Sequence, residues 1–229
     1  MPIFRNLNKK FFKKWSSHMA YVLGFFAADG SMITNRRGAH FIEFSITDRS
    51  VLEHIRRAVK SGHRISERKR SPLNKTSYRL QIGSKEWFED LSRLGFMQNK
   101  SKKVLFPPVP KEYLGHFVRG YFDGDGCVYF KKHWSKWHNK QRWILATIFT
   151  SGSLKFLQGL HKHLLIRKLS GGYISKKNRG YSLVFSRRDS LALYNLMYHT
   201  APISKLCLLR KRRKLERAIR VLRLNAAVV

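Results

Sequence analysis

The stretch Gly-Phe-Phe-Ala-Ala-Asp-Gly at residues 24–30 returns as Gly-Tyr-Phe-Asp-Gly-Asp-Gly at residues 120–126. Four identical residues stand 96 positions apart in the two copies: Gly24 and Gly120, Phe26 and Phe122, Asp29 and Asp125, and Gly30 and Gly126. Self-similarity at a fixed offset indicates an internal duplication, and a missed duplication misplaces the whole fold. The chain is therefore predicted to contain two related halves.

The two halves also share the order of their predicted elements. Each motif is followed by alternating apolar and polar residues, over 31–47 and 127–150, which is a hairpin pattern. Apolar residues then recur every three or four positions, which predicts a helix in each half. Its candidate N-caps are Thr47 or Asp48 in the first half and Ser151 or Ser153 in the second.

A second hairpin and a closing helix complete each half. The hairpins are predicted over about 64–82 and 172–185, and the helices near 84–94 and 188–198. Each half thus follows the order αββαββα. This order predicts an α+β fold of two pseudo-symmetric αββαββα repeats, each with antiparallel strands.

A proline-rich segment separates the repeats. Phe106-Pro-Pro-Val-Pro110 cannot continue a helix or pair inside a sheet. We therefore predict two half-domains, residues 1–110 with a basic N-terminal extension and residues 111–229 with a basic C-terminal helix. The segment Leu206–Val221 is predicted to be helical, either as a terminal packing helix or as an arm that faces a nucleic acid.

Composition indicates the kind of partner. The 229 residues include 47 Lys and Arg but 13 Asp and Glu, a net charge of +34, while 43% hydrophobic residues are enough for a core. Basic residues spread along the folded body predict a polyanionic partner, and a nucleic acid is favoured over a membrane surface. The longest apolar run, Met19–Ala28, is about half of what a membrane crossing needs.

Two further features bear on the compartment. With only Cys127 and Cys207, a disulfide framework or an all-cysteine zinc site is excluded, which fits an intracellular protein. Residues 1–28 contain no acid and many basic residues, so a removable organelle transit segment is an alternative for them. We expect the bacterial cytoplasm or an organelle, without a choice between the two.

The spacing of small residues in the motif predicts how the halves meet. Gly24 and Ala28 lie on one helix face, as do Gly120 and Gly124, and small residues four apart let two backbones approach closely. If the two motif helices pack along these faces, their C-terminal ends come together and Asp29 becomes a neighbour of Asp125. Gly30 and Gly126 are predicted to end the helices.

Two carboxylates at helix C-termini are best explained by a cation. The helix dipole there disfavours anions, so paired aspartates in a basic chain predict a divalent metal held against a phosphate backbone. Hard oxygen ligands indicate Mg²⁺, and the predicted chemistry is phosphodiester hydrolysis. Candidate metal-site residues are Asp29, Asp125, Ala28 and Gly124. The structural alternative is that both aspartates merely cap turns.

The repeated segment resembles the paired motif of the LAGLIDADG homing endonucleases, in the single-chain form with two copies. Val22-Leu-Gly-Phe-Phe-Ala-Ala-Asp-Gly30 and Val118-Arg-Gly-Tyr-Phe-Asp-Gly-Asp-Gly126 both fit the family pattern. The resemblance implies that Asp29 and Asp125 are the metal ligands. The earlier acidic position, which the family does not need for activity, is Ala27 in one copy and Asp123 in the other.

The resemblance also implies that the two repeats form a DNA-binding antiparallel β-saddle with the two motif helices packed at the centre, and it implies an activity. It predicts a monomeric, site-specific endonuclease that cuts a long asymmetric double-stranded DNA target and leaves staggered ends. Mg²⁺ is the expected cofactor, Mn²⁺ is expected to replace it, and Ca²⁺ is expected to bind without cleavage. A free-standing or intron-encoded protein is favoured over an intein, because no splicing domain accompanies the motifs.

Family members carry a basic residue near each metal site. The matching residues here are Lys100 and Lys205, which follow the last helix of each repeat and are predicted to be catalytic. Gln98 and Ser204 are further candidate polar groups of the site.

The resemblance further implies that each sheet lies along the major groove and reads DNA from alternating strand positions. Candidate DNA-binding residues of the first half are Ser31, Asn35, Arg37, His40, Glu43, Arg64, Ser66, Arg68, Arg70, Lys75, Arg79 and Gln81. Those of the second half are Tyr129, Lys131, His133, Lys136, Arg142, Thr147, Ser175, Lys177 and Arg179.

Two other functions fit the same fold. One is a maturase that binds its host intron RNA, and the other is a transcription regulator that binds DNA without cutting it. Retention of both Asp29 and Asp125 favours the nuclease, because a binding module has no use for paired anions that face phosphates.

Overall fold

The structure, a computed structural model, describes residues 5–69, 75–167, 169–199 and 206–224. The chain packs as two compact units. The first contains the described residues up to Lys100, residues 107–124, and Leu206 with Cys207. The second contains residues 101–106 and the described residues from Asp125 to 199 and from Leu208 onward.

The first repeat has the predicted element order. It runs α1 (Ser17–Asp29), β1 (Gly30–Thr34), β2 (His40–Ile46), α2 (Arg49–Ala58), β3 (Ile65–Arg68), β4 (Ser77–Gly83) and α3 (Lys85–Arg93). Its strands form an antiparallel sheet in the order β1-β2-β4-β3. One face of this sheet is covered by α2 and α3, whose Leu52 and Trp87 are fully buried.

The second repeat follows the same order. It runs α4 (Leu114–Asp125), β5 (Gly126–Ser135), β6 (Lys140–Ser151), α5 (Leu154–Leu165), β7 (Tyr173–Lys177), β8 (Gly180–Phe185) and α6 (Arg187–Tyr198), and α7 (Leu209–Val221) comes after it. Its antiparallel sheet has the order β5-β6-β8-β7. The predicted αββαββα repeats are confirmed.

Local sequence explains where the helices begin. The Ser16 and Ser153 hydroxyls accept the Met19 and Phe156 N–H groups at 3.1 and 3.2 Å, and these side-chain caps start α1 and α5. Asp48 is the N-cap residue of α2 without a side-chain cap bond. The predicted caps are thus confirmed in position for Asp48 and Ser153.

The compact units do not coincide with the repeats. By sequence α4 opens the second repeat, but up to Gly124 it packs in the first unit, where it contacts α1. The predicted boundary near residue 110 follows the duplication and stays a prediction for independent folding.

The N-terminal extension is part of the first unit. The Trp87 indole N–H donates to the Asn8 carbonyl oxygen at 3.0 Å, and Lys9 lies 2.7 Å from Glu86. Residues 17–28 form most of α1. Within the described ranges, no helix combines the length and the apolar character needed to cross a membrane.

Candidate nuclease site

The two motif helices cross at their glycines. A Cβ on Gly24 would lie 2.1 Å from the Phe117 carbonyl oxygen, and one on Gly120 would lie 2.0 Å from the Tyr21 carbonyl oxygen. Neither carbonyl can retreat, because each belongs to a helix backbone. The predicted close approach of α1 and α4 along their small residues is confirmed, and glycine is required at both positions.

The first motif ends with its aspartate beside the other helix. A Cβ on Gly124 would lie 2.4 Å from the Ala28 Cβ and 3.1 Å from an Asp29 carboxylate oxygen. Asp29 is the last residue of α1 and is half-buried. Its carboxylate therefore sits against the last turn of α4, one residue before Asp125 in the chain.

Gly30 is the C-cap of α1, but its backbone conformation does not require glycine. Its φ of −98° and ψ of 157° are extended values that any residue adopts. A Cβ there would instead meet the Phe26 ring at 2.1 Å. Glycine lets β1 leave the helix directly, so that Asp29 is held between a helix end and a strand.

Asp125 stands at the matching place of the second unit. The Thr150 hydroxyl donates to its backbone oxygen at 3.0 Å, which ties the end of α4 to β6. Asp125 also lines a surface depression of about 290 Å³ together with Thr150, Lys177 and Arg179. An acid beside two cationic side chains could bind a metal ion and a phosphate together.

The third motif acid has a structural partner. Asp123 is fully buried in α4, and its carboxylate accepts the Tyr21 hydroxyl of α1 at 2.7 Å. The residues 96 positions away from this pair are Phe117 and Ala27. The acid at 123 therefore serves the helix contact. The sequence signal is a matched pair of exchanges: the counterpart of Tyr21 in the copy with the acid is Phe117, and the counterpart of Asp123 in the copy with Tyr21 is Ala27.

Arg119 and His116 are two further buried polar residues of α4. The Arg119 guanidinium is fully buried, donates to the Leu206 carbonyl oxygen at 3.1 Å and lies 3.0 Å from His116 Nδ1. Burial, together with the positive charge of Arg119 and the neighbouring His18, lowers the pKa of His116 to about 4. His116 is therefore neutral at pH 7.

Lys100 reaches the end of the first motif helix. Its amino group donates to the Ala27 carbonyl oxygen at 2.8 Å and lies 5.4 Å from the Phe26 ring centre, and the residue is buried. The structure thus brings Lys100 to the last turn of α1, two residues before Asp29. Gln98 accepts the Thr34 N–H at 3.2 Å. Lys205 and Ser204 lie outside the described residues.

The face of the first sheet opposite α2 and α3 is polar. Strand register places Ser31 beside Glu43 and Glu43 beside Gln81 on this face, with Arg79 beside Ser66. Arg79 lies 3.3 Å from the Glu43 carboxylate, and Gln81 donates to it at 3.4 Å. One acid thus orders two side chains that can each make paired hydrogen bonds to a base edge.

Several other predicted readers of the first half lie at the edges and turns of this sheet. Arg64, Arg68 and Lys75 are exposed at strand ends, Arg37 is exposed in the β1–β2 turn, and Arg70 falls outside the described part of the chain. The Asn35 side chain accepts the N–H groups of Arg37 and Ala39 and so shapes that turn.

The second sheet presents Tyr129, Lys131, His133, Arg142, Ser175 and Lys177 on its open face, and Lys136 and Arg179 in its turns. The Tyr129 hydroxyl contacts His133 Nε2. Sequence reasoning did not select Phe41, Ile144 and Tyr173, which share the open faces. In a strand, a residue next to a buried one lies on the opposite face, and this alternation is the sequence signal that could have identified all three.

Two predicted readers lie on the opposite face, and their assignment is corrected. His40 stacks on Phe88 of α3 with ring centres 4.3 Å apart and contacts the Thr34 hydroxyl. Thr147 is fully buried and shares the helix-covered face with Leu145 and Phe149. Both errors have one cause, since the side-chain period of two moves a residue to the other face when the register is misjudged by one.

The donors fit a hard divalent cation that a nucleic acid helps to hold. Within the described residues, no group of three or more His, Cys, Asp or Glu is placed to bind a metal. Asp29 and Asp125 each offer carboxylate oxygens at a helix end, with the carbonyl groups of Ala28 and Gly124 one residue earlier. A cation at either position would complete its shell with water and phosphate, as Mg²⁺ commonly does.

The first repeat matches a known family. Residues 16–94 fit the family described as LAGLIDADG-like domain. These residues form a LAGLIDADG-like domain. The match begins at the N-cap of α1 and ends just beyond α3, so it contains one whole αββαββα repeat. The resemblance found in the sequence is confirmed.

Solved structures show the same fold over nearly the whole chain. The homing endonuclease I-WcaI bound to its DNA recognition sequence is 17% identical, covers 90% of this chain and 91% of its own, and has a TM-score of 0.60. The LAGLIDADG meganuclease I-AabMI bound to uncleaved DNA is 15% identical, with 89% and 90% covered and a TM-score of 0.61. The two-repeat fold therefore extends beyond the LAGLIDADG-like domain.

A curated relative matches over a shorter stretch. The subunit Rpo1C of a DNA-directed RNA polymerase from Methanocaldococcus jannaschii is 33% identical over 110 residues. This stretch is 47% of the present chain and 12% of the relative. The chain thus spans about an eighth of the length of that relative.

Proposed function

We propose that this protein is a site-specific endonuclease of double-stranded DNA that cuts both strands of a long asymmetric target. The observation that carries the proposal is the pair of motif helices that cross at Gly24 and Gly120 and end in Asp29 and Asp125, in a chain with a net charge of +34. A pair of aspartates at the negative ends of helices would serve stability poorly, whereas acids there in a strongly basic chain serve phosphate chemistry.

The sheets supply binding and sequence choice. Arg79 and Gln81, ordered by Glu43, have the geometry for guanine and adenine edges in the major groove, while exposed lysines neutralise phosphates. The two sheets present different side chains at matching positions. The target is therefore proposed to be non-palindromic.

The aspartates hold the cation. Asp29 and Asp125, each with the preceding carbonyl group of Ala28 or Gly124, would bind Mg²⁺, which polarises the scissile phosphodiester and makes water a better nucleophile. Lys100 fixes the carbonyl group of Ala27 and so keeps the last turn of α1 in place for Asp29. The charge of Lys100 also lowers the cost of bringing phosphate close to a carboxylate.

The test is a selection of cleaved sites from a randomised duplex library. Parent protein is incubated with Mg²⁺, with Mn²⁺ and with Ca²⁺, and the double variant Asp29→Asn/Asp125→Asn is run beside it. We expect one long asymmetric site, cut with Mg²⁺ or Mn²⁺ and bound but uncut with Ca²⁺ or by the double variant.

A matched control separates the metal role from a general effect of charge. Asp123→Asn removes the neighbouring acid but keeps an oxygen that can accept the Tyr21 hydroxyl. We expect this variant to cut the selected site. Equal cutting by the Asp29/Asp125 double variant would overturn the assignment of the aspartates, and duplex binding by parent protein without any cutting would favour a regulator. Preference for intron RNA over duplex DNA at matched salt would favour a maturase.

A further inference from the structure

The helix α7 packs on the second unit by one face only. Its Leu215 and Ala218 are fully buried, and the helix lies against β5. The Glu216 carboxylate accepts the Tyr194 hydroxyl of α6 at 3.0 Å and the Arg212 Nε–H at 2.8 Å. Helix α7 therefore sits beside α6 on the helix-covered side of the second sheet, and its other face points away from that sheet.

The outer face of α7 is a row of arginines. Four exposed arginines stand three or four residues apart and therefore lie in one line along the helix, nearly opposite its buried face. They are here named the α7 stripe and are Arg210, Arg213, Arg217 and Arg220. At about 1.5 Å of rise per residue, the stripe is about 15 Å long.

The second repeat has almost no acid to neutralise this stripe. Residues 126–229 include only Asp189 and Glu216 as acids. Asp189 is buried, and Glu216 is engaged in the contact with α6. Among the described residues, no carboxylate forms an ion pair with Arg213, Arg217 or Arg220. The stripe is thus a surface of uncompensated positive charge.

The helices that cover the first sheet differ in this respect. Arg49 lies 2.9 Å from Glu53 on α2, and Arg93 lies 3.1 Å from Asp90 on α3. On α7, by contrast, like charges three or four residues apart repel, and the cations of its first turn oppose the helix dipole with no acid beside them. This arrangement is unfavourable for the protein alone, and a polyanionic partner would compensate it.

The composition of α7 favours a nucleic acid duplex among the polyanions. Proteins that bind single strands stack bases on aromatic side chains, and α7 has no aromatic residue. A helix that lies on a membrane needs an exposed apolar face, whereas the apolar face of α7 is buried. Its exposed Leu209 and Val221 stand at opposite ends of the helix. A row of guanidinium groups suits the phosphates of a duplex, which has one charge per about 1.7 Å.

The stripe and the open face of the second sheet cannot share one straight duplex, because the sheet itself and its helix layer lie between them. We propose that the α7 stripe binds the phosphates of a second DNA duplex, without sequence preference, so that one protein molecule holds two DNA segments at once. A protein with two such surfaces passes from one segment to another without first dissociating. This site lies outside the cutting and reading surfaces, so the inference goes beyond the proposed function.

The first test counts the duplexes bound by one protein molecule. Duplexes of a single unrelated sequence are titrated in Ca²⁺ at low salt, and the masses of the complexes are measured by sedimentation. We expect the parent to bind two duplexes per protein. The variant Arg213→Gln/Arg217→Gln/Arg220→Gln is expected to bind one, because it loses three charges from the stripe and keeps the sheets intact.

A matched control removes the same number of charges elsewhere. Lys60→Gln/Lys155→Gln/Lys162→Gln replaces three exposed lysines outside α7 and is expected to bind two duplexes. A second control replaces the three stripe arginines by lysine. It is expected to keep the second duplex, since phosphate contacts need the charge and not the shape of the guanidinium group. Glutamine is a good helix former and removes repulsion, so the glutamine variant of the stripe should unfold no more easily than the parent.

The second test measures transfer between DNA segments. Protein is bound to a labelled duplex in Ca²⁺, and release of the label is followed at rising concentrations of unlabelled duplex. For the parent, we expect the release rate to rise with the competitor concentration, because the stripe binds the competitor before the first duplex leaves. For the glutamine variant of the stripe, the rate is expected to stay constant. Binding of the second duplex should depend on salt with a slope of about −0.9 for each phosphate contacted.

The outcomes separate this inference from the proposed function. If no duplex is cut in Mg²⁺, the proposed function fails, while the number of duplexes bound per protein still decides the inference. If the parent cuts its site but binds the same number of duplexes as the glutamine variant, only the inference fails. Two duplexes held by two protein copies would also overturn it. So would binding of duplex RNA or polyglutamate, in place of duplex DNA, as the only activity that the glutamine variant loses.

Discussion

The helices α1 and α4 have the same place in their repeats but different interiors. Where α4 has buried His116, Arg119 and Asp123, the residues 96 positions earlier in α1 are Ala20, Leu23 and Ala27, which are buried as well. Both helices keep the glycine at the crossing and the aspartate at the end. The duplication thus preserves the backbone contact and the terminal acid, while it leaves the rest of the interface free to diverge.

The buried polar groups of α4 find their partners outside that helix. Tyr21 of α1 supplies the partner of Asp123, and the backbone of Leu206, far along the chain, accepts from Arg119. A buried polar group without a hydrogen bond costs about 1–3 kcal/mol, so these groups persist only because their partners are in place. The comparison teaches that equivalent positions in a repeat need not have equivalent roles. Asp125 has an acid as its counterpart, Asp29, whereas the counterpart of Asp123 is Ala27.

The largest effect is expected where the two copies are alike. Asp29→Asn and Asp125→Asn should each reduce double-strand cleavage by about 10²–10³-fold or more, since groups that stabilise transition-state charge commonly contribute that much. Rates are measured on the selected duplex under single-turnover conditions, with binding measured in Ca²⁺. If only one of the two substitutions affected cleavage, the functional equivalence of the copies would be lost.

Glycine substitutions test the shared backbone contact. Gly24→Ala and Gly120→Ala each place a methyl group near 2 Å from a helix carbonyl oxygen, and we expect a loss of about 3 kcal/mol or more in the free energy of unfolding. The measurement is urea denaturation followed by circular dichroism. Gly83→Ala is the matched control, because its Cβ would have only ordinary contacts at 3.5 Å, and little change there is expected.

A double-mutant cycle tests the divergent pair. Asp123→Ala leaves the Tyr21 hydroxyl buried without its carboxylate and should cost about 2 kcal/mol, since hydrogen bonds to charged groups contribute about 1.5–3 kcal/mol. The double variant Tyr21→Phe/Asp123→Ala has the same residue types as the counterpart pair, Phe117 and Ala27. Adding Tyr21→Phe should therefore recover part of this loss. Additive effects of the two substitutions would mean that the pair is not coupled.

Protonation of His116 should make stability depend on pH. Its pKa is lowered to about 4 in the folded protein, so between about pH 6.5 and 4 the unfolded chain binds a proton that the folded chain does not. The free energy of unfolding therefore falls as the pH is lowered through that window and is unaffected by His116 above it. Relative to His116→Ala, the parent should lose about 2 kcal/mol more between pH 7 and 4.5. Parallel pH profiles would contradict the shift.

Much of the fold was predictable because its signals are local. Hairpin alternation, helix periodicity and the N-cap serine at 153 each depend on residues close in the chain, and the structure places these elements within a few residues of the prediction. The crossing of α1 and α4 was predictable as well, since small residues four apart define a helix face before any partner is known.

The errors lie where a residue depends on a distant neighbour. His40 and Thr147 sit in correctly predicted strands, but their face depends on register relative to β4 and β8. Asp123 reads as a second motif acid until Tyr21, 102 residues earlier, is seen to bond it. The family resemblance predicted that Lys100 lies near the metal site. Its contact with the Ala27 carbonyl oxygen could be identified only in the packed structure.

The sequence by itself determined the duplication, the order αββαββα, the terminal aspartates and the excess of positive charge, because repeats, periodicity and composition need no knowledge of what lies nearby in space. Only the tertiary structure decided which acid is engaged in packing, which strand face is open and how far β5 and β6 pair beyond the point where β8 ends. These properties depend on contacts between segments that are distant in the chain, and such contacts exist only after the helices and sheets have packed.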